Sequence, residues 1–400
     1  MGLPSLHSLL RERESHRQRD EQRKCRRNWT KNNANTLMAD IIPTAWQPFK
    51  SETPLTTFPF RFPAEWEPQS AILIAWPHAN TDWSAHLADV EETYIALVAA
   101  ITRFQMVIIC VLDDDLQTYT EARLRSASVA MQQVRFTVAS YNDTWLRDSG
   151  PITLIGINGD FRLLDFRFTG WGGKFEAKAD DQLVSALHAN GLFKNTQMHS
   201  INFALEGGAI ETDGAGTLLT TWRCLHERHP QRTRTTLDAN LTAWLAQNRV
   251  LWLEHGYLEG DDTDAHIDTL ARFASTDSIV YQSCDNTTDS HYAELQAMAN
   301  ELTALRTTEG RPYRLFPLPW TKPILDQDRR LPASYANFLI IEGAVLMPTY
   351  DDPADTIAQS VLAEAFPTRE IVPVPCRPLI WQNGSLHCIT MQIPAGLLAT

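Results

Sequence analysis

Twelve residues from the end of the 400-residue chain, Cys388 stands in the segment NGSLHCITMQIP, where it could serve as a nucleophile. A thiol attacks carbon as the thiolate, and a free cysteine with a pKa of about 8.5 is mostly protonated at neutral pH. Helpers are therefore needed. The candidates are Asp148 in WLRDSGP, Glu206 in LEGGAIETDG, and His266 and Asp268 in DAHIDT. Three carboxylates around one thiol oppose its ionisation. Such a set makes chemical sense when a cation, a guanidinium or similar group, shares the pocket and offsets the negative charge.

Each motif also has a plainer meaning. His266 and Asp268 are two residues apart, so in an extended segment both face one side, yet the preceding EGDDTDA reads equally as a solvated acidic loop. Glu206 is followed by Gly207-Gly208, which permits close backbone approach but is also a common turn. Asp148, between Arg147 and Gly150-Pro151, could pair with its neighbour or cap a turn. The cluster FTGWGGKF at 168 to 175 lacks the spacing of a dinucleotide-binding loop. His226, Glu227 and His229 in CLHERHP imitate a metal cluster, but no HExxH is present, so a surface loop without metal is expected.

Elements able to hold these residues alternate along the chain from residue 70. Apolar runs such as AILIAW, MVIICVL and VRFTVAS alternate with the amphipathic segments DVEETYIALVAAITRF and QTYTEARLRSA, a mixed α/β pattern. Farther on, ITLIGI and FRLLDFRF flank Asn158-Gly159-Asp160, which predicts a hairpin. TLLTT, RVLWL, SIVYQ, FLIIEGAVLMP and REIVPV are further strands; DDQLVSALHANG, TTLDANLTAWLAQN, HYAELQAMANELTALR and DTIAQSVLAEAFP are helices. A doubly wound parallel sheet has no need of such hairpins, and the order suggests a repeated strand-and-helix unit without letter-by-letter repetition.

With 44% hydrophobic residues the chain can bury a large core, and its longest apolar stretches are too short to cross a bilayer. Before Met38 there are nine Lys or Arg and four Asp or Glu, a balance of +5, so the remainder carries −13 − 5 = −18. An acidic body disfavours nucleic acid and suits small cations. Residues 1–45 read as a basic, disordered leader, or translation begins at Met38; residues 46–400 read as one catalytic domain. Six scattered cysteines without CxxC spacing argue against a disulfide framework or zinc site and fit a reducing, cytoplasmic setting.

Taken in order, WLRDSGP, FRFTGWGGKF, LEGGAIETDG, DAHIDTLARFA, ASYANFLI and GSLHCITMQIP resemble the signature segments of the agmatine deiminase family. More distantly the chain resembles the bacterial peptidylarginine deiminases. The likeness spans Pro59 to Pro394. It implies the pentein fold, a five-bladed α/β propeller with pseudo-fivefold repeats around a central active site. It also implies Cys388 as nucleophile, His266 as general acid and base, Asp148 and Asp268 as guanidinium-binding carboxylates, and Glu206 as a supporting carboxylate. Neither metal nor organic cofactor takes part in this chemistry. Agmatine plus water would give N-carbamoylputrescine, a step of putrescine formation, plus ammonia.

Where the family commonly shows GGNIHC, GHIDN and EGGS, this chain has NGSLHC, AHIDT and EGGA. These differences fall beside the chemical residues and bear on the substrate's tail. A primary amine there would want a carboxylate or aromatic face, for which Asp262, Trp145 and Trp171 are candidates, with Asn337 in ASYANFLI also expected to bind substrate. An arginine or peptidylarginine would want a cation, Arg147 or Lys174. An amidinotransferase or cysteine peptidase would use the same nucleophile and base. A homo-oligomer is compatible with all of these.

Overall fold

The apolar run at 71 to 75 is continuous, not alternating, because its strand is covered on both faces. In the computed structural model, Gln69–Ala75 lies between the parallel strand Met106–Val111 and the antiparallel strand Met391–Pro394. Residues 59–194 and 196–399 are described, and they fall in the compact unit Thr57–Thr400. The expected leader, residues 1–45, lies outside the described residues.

Five sheets share one construction: two antiparallel strands, then a helical crossover to a third strand parallel to the second. A parallel pairing requires such a crossover, whereas an antiparallel pair needs only a turn. One sheet joins Ile152–Gly156 to Phe161–Arg167 and returns through helix Leu183–Ala189 to Gln197–Ala204. Others use helices Arg234–Trp244, Tyr292–Ala304 and Ala354–Ala365 in the same way. In the fifth, Met391–Pro394 from the C-terminus supplies the antiparallel partner of Gln69–Ala75, and Leu87–Ile101 forms the crossover.

The expected hairpin turn is present, with Gly159 at φ +77. FLIIEGAVLMP is two strands, not one: Leu339–Ile341 and Ala344–Thr349 fold back on each other at Gly343, whose φ of +69 favours glycine.

The candidate chemical residues occupy matching places. Asp148 precedes strand Ile152–Gly156, Glu206 precedes Ile210–Thr212, and His266 and Asp268 precede Ala271–Ser275. Asn337 precedes Leu339–Ile341 and Cys388 precedes Met391–Pro394. The segment entering each sheet thus delivers a polar side chain, while the apolar faces behind it form the core around Trp76, Tyr94, Tyr335 and Leu346.

Candidate active site

Short helical turns aim the polar groups. Asp148 lies on Leu146–Ser149, Glu206 precedes the turn Gly207–Ala209, and His266 caps the turn Ile267–Thr269. The extended geometry expected for His266 and Asp268 is corrected here. Thr263 Oγ1 accepts the His266 N–H at 3.2 Å and Thr269 Oγ1 donates to the His266 carbonyl at 2.9 Å, so side chains bend the segment into a turn. His266 consequently meets Asp148 and Glu206, whereas Asp268 meets Cys388.

All five groups are buried. Cys388 Sγ lies 3.6 Å from Asp268 Oδ2, and the Asn337 side-chain amide donates to Sγ at 3.2 Å. Asn337 Oδ1 accepts from the backbone N–H of His387 and of Cys388, so it holds the nucleophile's own chain. Asp148 has both oxygens engaged: Oδ1 accepts from Gly208 N at 3.0 Å and Oδ2 from Trp171 Nε1 at 2.9 Å. Its Oδ1 is 3.6 Å from His266 Nδ1, and Glu206 Oε2 is 3.9 Å from His266 Nε2. Those separations exceed hydrogen-bond reach, so the carboxylates act on the imidazole through charge. Gly208 makes the convergence possible, because a Cβ there would lie 2.7 Å from both Asp148 Oδ1 and His266 Nδ1.

Burial would lower the His266 pKa, but Asp148 first, then the contact with Cys224 and the Glu206 carboxylate, outweigh it and hold the ring above its usual value. The neighbouring Cys224 thiol is itself pushed up by burial and is uncharged at neutral pH. Burial pushes Asp148 up to about 6, with Asp268 and Glu206 adding repulsion and His266 opposing it. Glu206 and Asp268 are low despite burial, Glu206 through His266 and Arg228, Asp268 through His387 and His266. Burial first, then Asp268 and Asp148, push Cys388 far above an ordinary thiol. A cation between those two carboxylates removes the repulsion that keeps the thiol protonated.

From Cys388 opens a cavity of about 350 Å³ lined by Asp82, Asp143, Asp148, Glu176, Asp180 and Asp262 and, among the described residues, by no Lys, Arg or His. Burial pushes Asp143 and Asp180 up to about 7 each. Trp145 and Trp171 form aromatic parts of its wall. An acid-lined cavity that runs from exposed residues such as Asp82 and Glu176 to a buried thiol fits an extended cation.

The sequence profile of Porphyromonas-type peptidyl-arginine deiminase matches residues 61–394. The chain belongs to this deiminase family. It is 33% identical to the agmatine deiminase of Stutzerimonas stutzeri (strain A1501) over 372 residues, 86% of this chain and 99% of the relative. A solved structure from Porphyromonas gingivalis with a provisional arginine deiminase name is similar at 44% identity and a TM-score of 0.78, covering 85% of this chain and 100% of that one. A cysteine-to-serine variant of agmatine deiminase from C. jejuni, solved with substrate bound, is similar at 34% identity and a TM-score of 0.78, covering 84% and 97%.

Within this deiminase chain the residues expected at the substrate's tail separate. Trp145, Trp171 and Asp262 line the cavity, whereas Asn337 lies behind the thiol. Trp171 sits at φ +55 beside Gly170 and Gly172, both also left-handed, a strained turn that swings its indole onto Asp148. Asp262 accepts from Asn383 Nδ2 at 2.9 Å. Neither cation considered for an α-carboxylate reaches the cavity: Arg147 is buried near Glu65, and Lys174 pairs with Asp264 at 2.7 Å.

CLHERHP is not a surface loop. Thr221 caps helix Trp222–Arg228 by accepting from Cys224 N, and Cys224 and Leu225 are buried. The helix delivers Arg228, whose Nε donates to Glu206 at 2.6 Å and whose Nη1 donates to Asp264 at 2.6 Å. His226 and His229 instead stack on Trp222 and Phe203. Among the described residues, Glu206, Cys224 and His266 come within 4.8 Å of one another, close enough to suit a metal. The Arg228 charge bound to Glu206 opposes a cation there. Sequence reading missed Arg228, Cys224, His387 and Glu65; the one local signal was the position of His387 beside the nucleophile.

Proposed function

We propose that the chain is a hydrolase that deiminates a cationic guanidine, agmatine plus water giving N-carbamoylputrescine plus ammonia. One observation carries the choice of substrate: six acidic side chains and, among the described residues, no basic side chain line the cavity that ends at Cys388. The guanidinium would bind between Asp148 and Asp268, which orients its carbon and lowers the repulsion around the thiol. The tail amine would extend along Trp145 and Trp171 toward Asp262.

Loss of the thiol proton to solvent as the guanidinium enters gives a thiolate, which forms an S–C bond to the guanidinium carbon. A C–N bond then breaks, and the nitrogen takes a proton from cationic His266 to leave as ammonia. That step leaves an amidino-thioether cation and a neutral imidazole. Water adds to the same carbon and gives its proton to His266. Cleavage of the C–S bond returns the thiolate and releases the protonated urea group, whose extra proton restores the thiol. Glu206, held ionised by Arg228, supports the imidazolium form.

The five like-built sheets, each entered through a polar residue, support a five-bladed propeller around this centre. Residues 46–400 would form the single catalytic domain, working in the cytoplasm in polyamine synthesis. Among the described residues no helix is long and apolar enough to cross a membrane.

A second reading, deimination of arginine or peptidylarginine, draws on the family description and on the P. gingivalis neighbour. Its α-carboxylate would meet repulsion from the acidic lining, which among the described residues offers it no basic side chain. The deciding experiment offers agmatine, arginine and arginyl peptides to the purified protein and measures ammonia, N-carbamoylputrescine and citrulline. Agmatine should have the highest kcat/KM, and Cys388→Ala should abolish turnover. Citrulline without N-carbamoylputrescine would replace the substrate, and undiminished turnover by the variant would remove the mechanism.

A further inference from the structure

His387 has no part in the reaction above, yet both ring nitrogens and its backbone are fixed. Buried beside Cys388, its Nδ1 lies 2.8 Å from Asp268 Oδ2 and its Nε2 lies 2.7 Å from Glu65 Oε2. Its N–H donates to Asn337 Oδ1 at 2.8 Å and its carbonyl accepts from Arg147 Nε at 3.5 Å. Glu65 is anchored in turn. It pairs with Arg272 at 2.9 Å, lies 3.5 Å from Arg147, and accepts from Ile340 N at 2.7 Å, while Arg272 continues to Glu211 at 2.6 Å.

For Asp268 the consequence is directional. A carboxylate turns about its Cβ–Cγ bond unless one oxygen is tied, and here Oδ2 is tied to His387. The other oxygen, Oδ1, is fully buried and has no hydrogen-bond partner among the described residues. A guanidinium presents its N–H groups in a rigid plane, so a carboxylate that holds it works only at one setting.

We propose that His387 is a positioning residue: its Nδ1–H fixes the Asp268 carboxylate so that Oδ1 faces the substrate guanidinium, and its Nε2–H anchors the ring on the Glu65–Arg272–Arg147 frame. This rests on the deiminase reading. The charged groups facing the ring are Asp268, Glu65, Arg147 and Arg272. Burial, Arg147 and Arg272 push the imidazole down, whereas Glu65 and Asp268 oppose them. Despite burial, Arg272, His387 and Arg147 hold Glu65 well below the usual carboxylate range. With both carboxylates ionised, an unprotonated ring nitrogen at either contact would set lone pair against lone pair. Contact geometry therefore outweighs the downward push, and both nitrogens donate.

An asparagine amide overlays the Nδ1 side of a histidine ring and a glutamine amide overlays Nε2, so two variants separate the contacts. Wild-type turnover of agmatine is measured first. His387→Asn keeps a donor for Asp268 and should hold KM within about fivefold of wild type. His387→Gln keeps only the donor for Glu65 and should raise KM by about tenfold to hundredfold, the usual effect of removing a group that orients a ligating side chain. Equal KM values in the two folded variants, or a lower KM in His387→Gln, would reduce His387 to a structural partner of Glu65. If either variant fails to fold, guanidinium chloride is titrated into wild-type protein labelled with ¹⁵N-histidine. The His387 Nδ1–H signal should shift on binding, and an unmoved signal overturns the proposal. Wild type that does not turn over agmatine removes the deiminase reading alone, since the titration still reports whether His387 senses a guanidinium.

Discussion

Gly208→Ala tests the convergence of Asp148, His266 and Asp268 with a single methyl group. The added Cβ would lie 2.7 Å from Asp148 Oδ1, 2.7 Å from His266 Nδ1 and 3.1 Å from Asp268 Oδ2. Non-bonded heavy atoms settle at roughly 3.5 Å, so the first two groups must retreat by about 0.8 Å. Asp148 cannot turn aside without breaking its bond from Trp171 Nε1 or from Gly208 N. The Gly208 backbone is not left-handed, so the methyl is the perturbation and φ is not. A misplacement of about 1 Å costs roughly a hundredfold in rate, so kcat/KM for agmatine should fall by about that factor, or ~2.7 kcal/mol. Overpacking should lower stability by about 1–3 kcal/mol, leaving a folded protein. Ammonia release measures the first quantity and calorimetry the second. A folded variant with kcat/KM within about threefold of wild type would refute the idea that these three groups must hold this spacing.

Gly384→Ala would drive a Cβ into the Trp145 ring, so the indole must move in the cavity; KM for agmatine should rise more than kcat falls in steady-state assays. Arg228→Met leaves Glu206 without its ionic partner and should cost about 3–5 kcal/mol in denaturant unfolding, with equal stability counting against a buried pair. Asp148, raised to about 6 by burial, is ionised above that pH and neutral below it. KM for agmatine should therefore increase as pH drops through about 6, and a KM unchanged down to about pH 5 would deny Asp148 the role of cation clamp.

Most of the secondary structure was legible because strand-forming runs are short, apolar and bounded by turn chemistry. Asn158-Gly159-Asp160 marks its hairpin by residue type alone. FLIIEGAVLMP was misread as one strand because its run of apolar residues hides the left-handed turn at Gly343. CLHERHP was misread because polar letters mask a helix with only a narrow buried face. Its decisive residue, Arg228, answers to Glu206 and Asp264, partners that become neighbours only when separate sheets are assembled.

The same cause hid the repeat. Asp148, Glu206, Asp268, Asn337 and Cys388 stand at comparable approaches to five first strands, but each has a different chemical task, so selection for chemistry removes the resemblance that shared geometry would leave. Charge was more transparent than geometry, since acids near a cysteine are visible wherever they lie in the chain. What folding adds is direction: Asp268 is tied at Oδ2, Asp148 is tied at both oxygens, and Cys388 is raised by both. In this arrangement the thiol is least reactive when no guanidinium separates it from the carboxylates, so the group to be cleaved is also the group that readies its nucleophile.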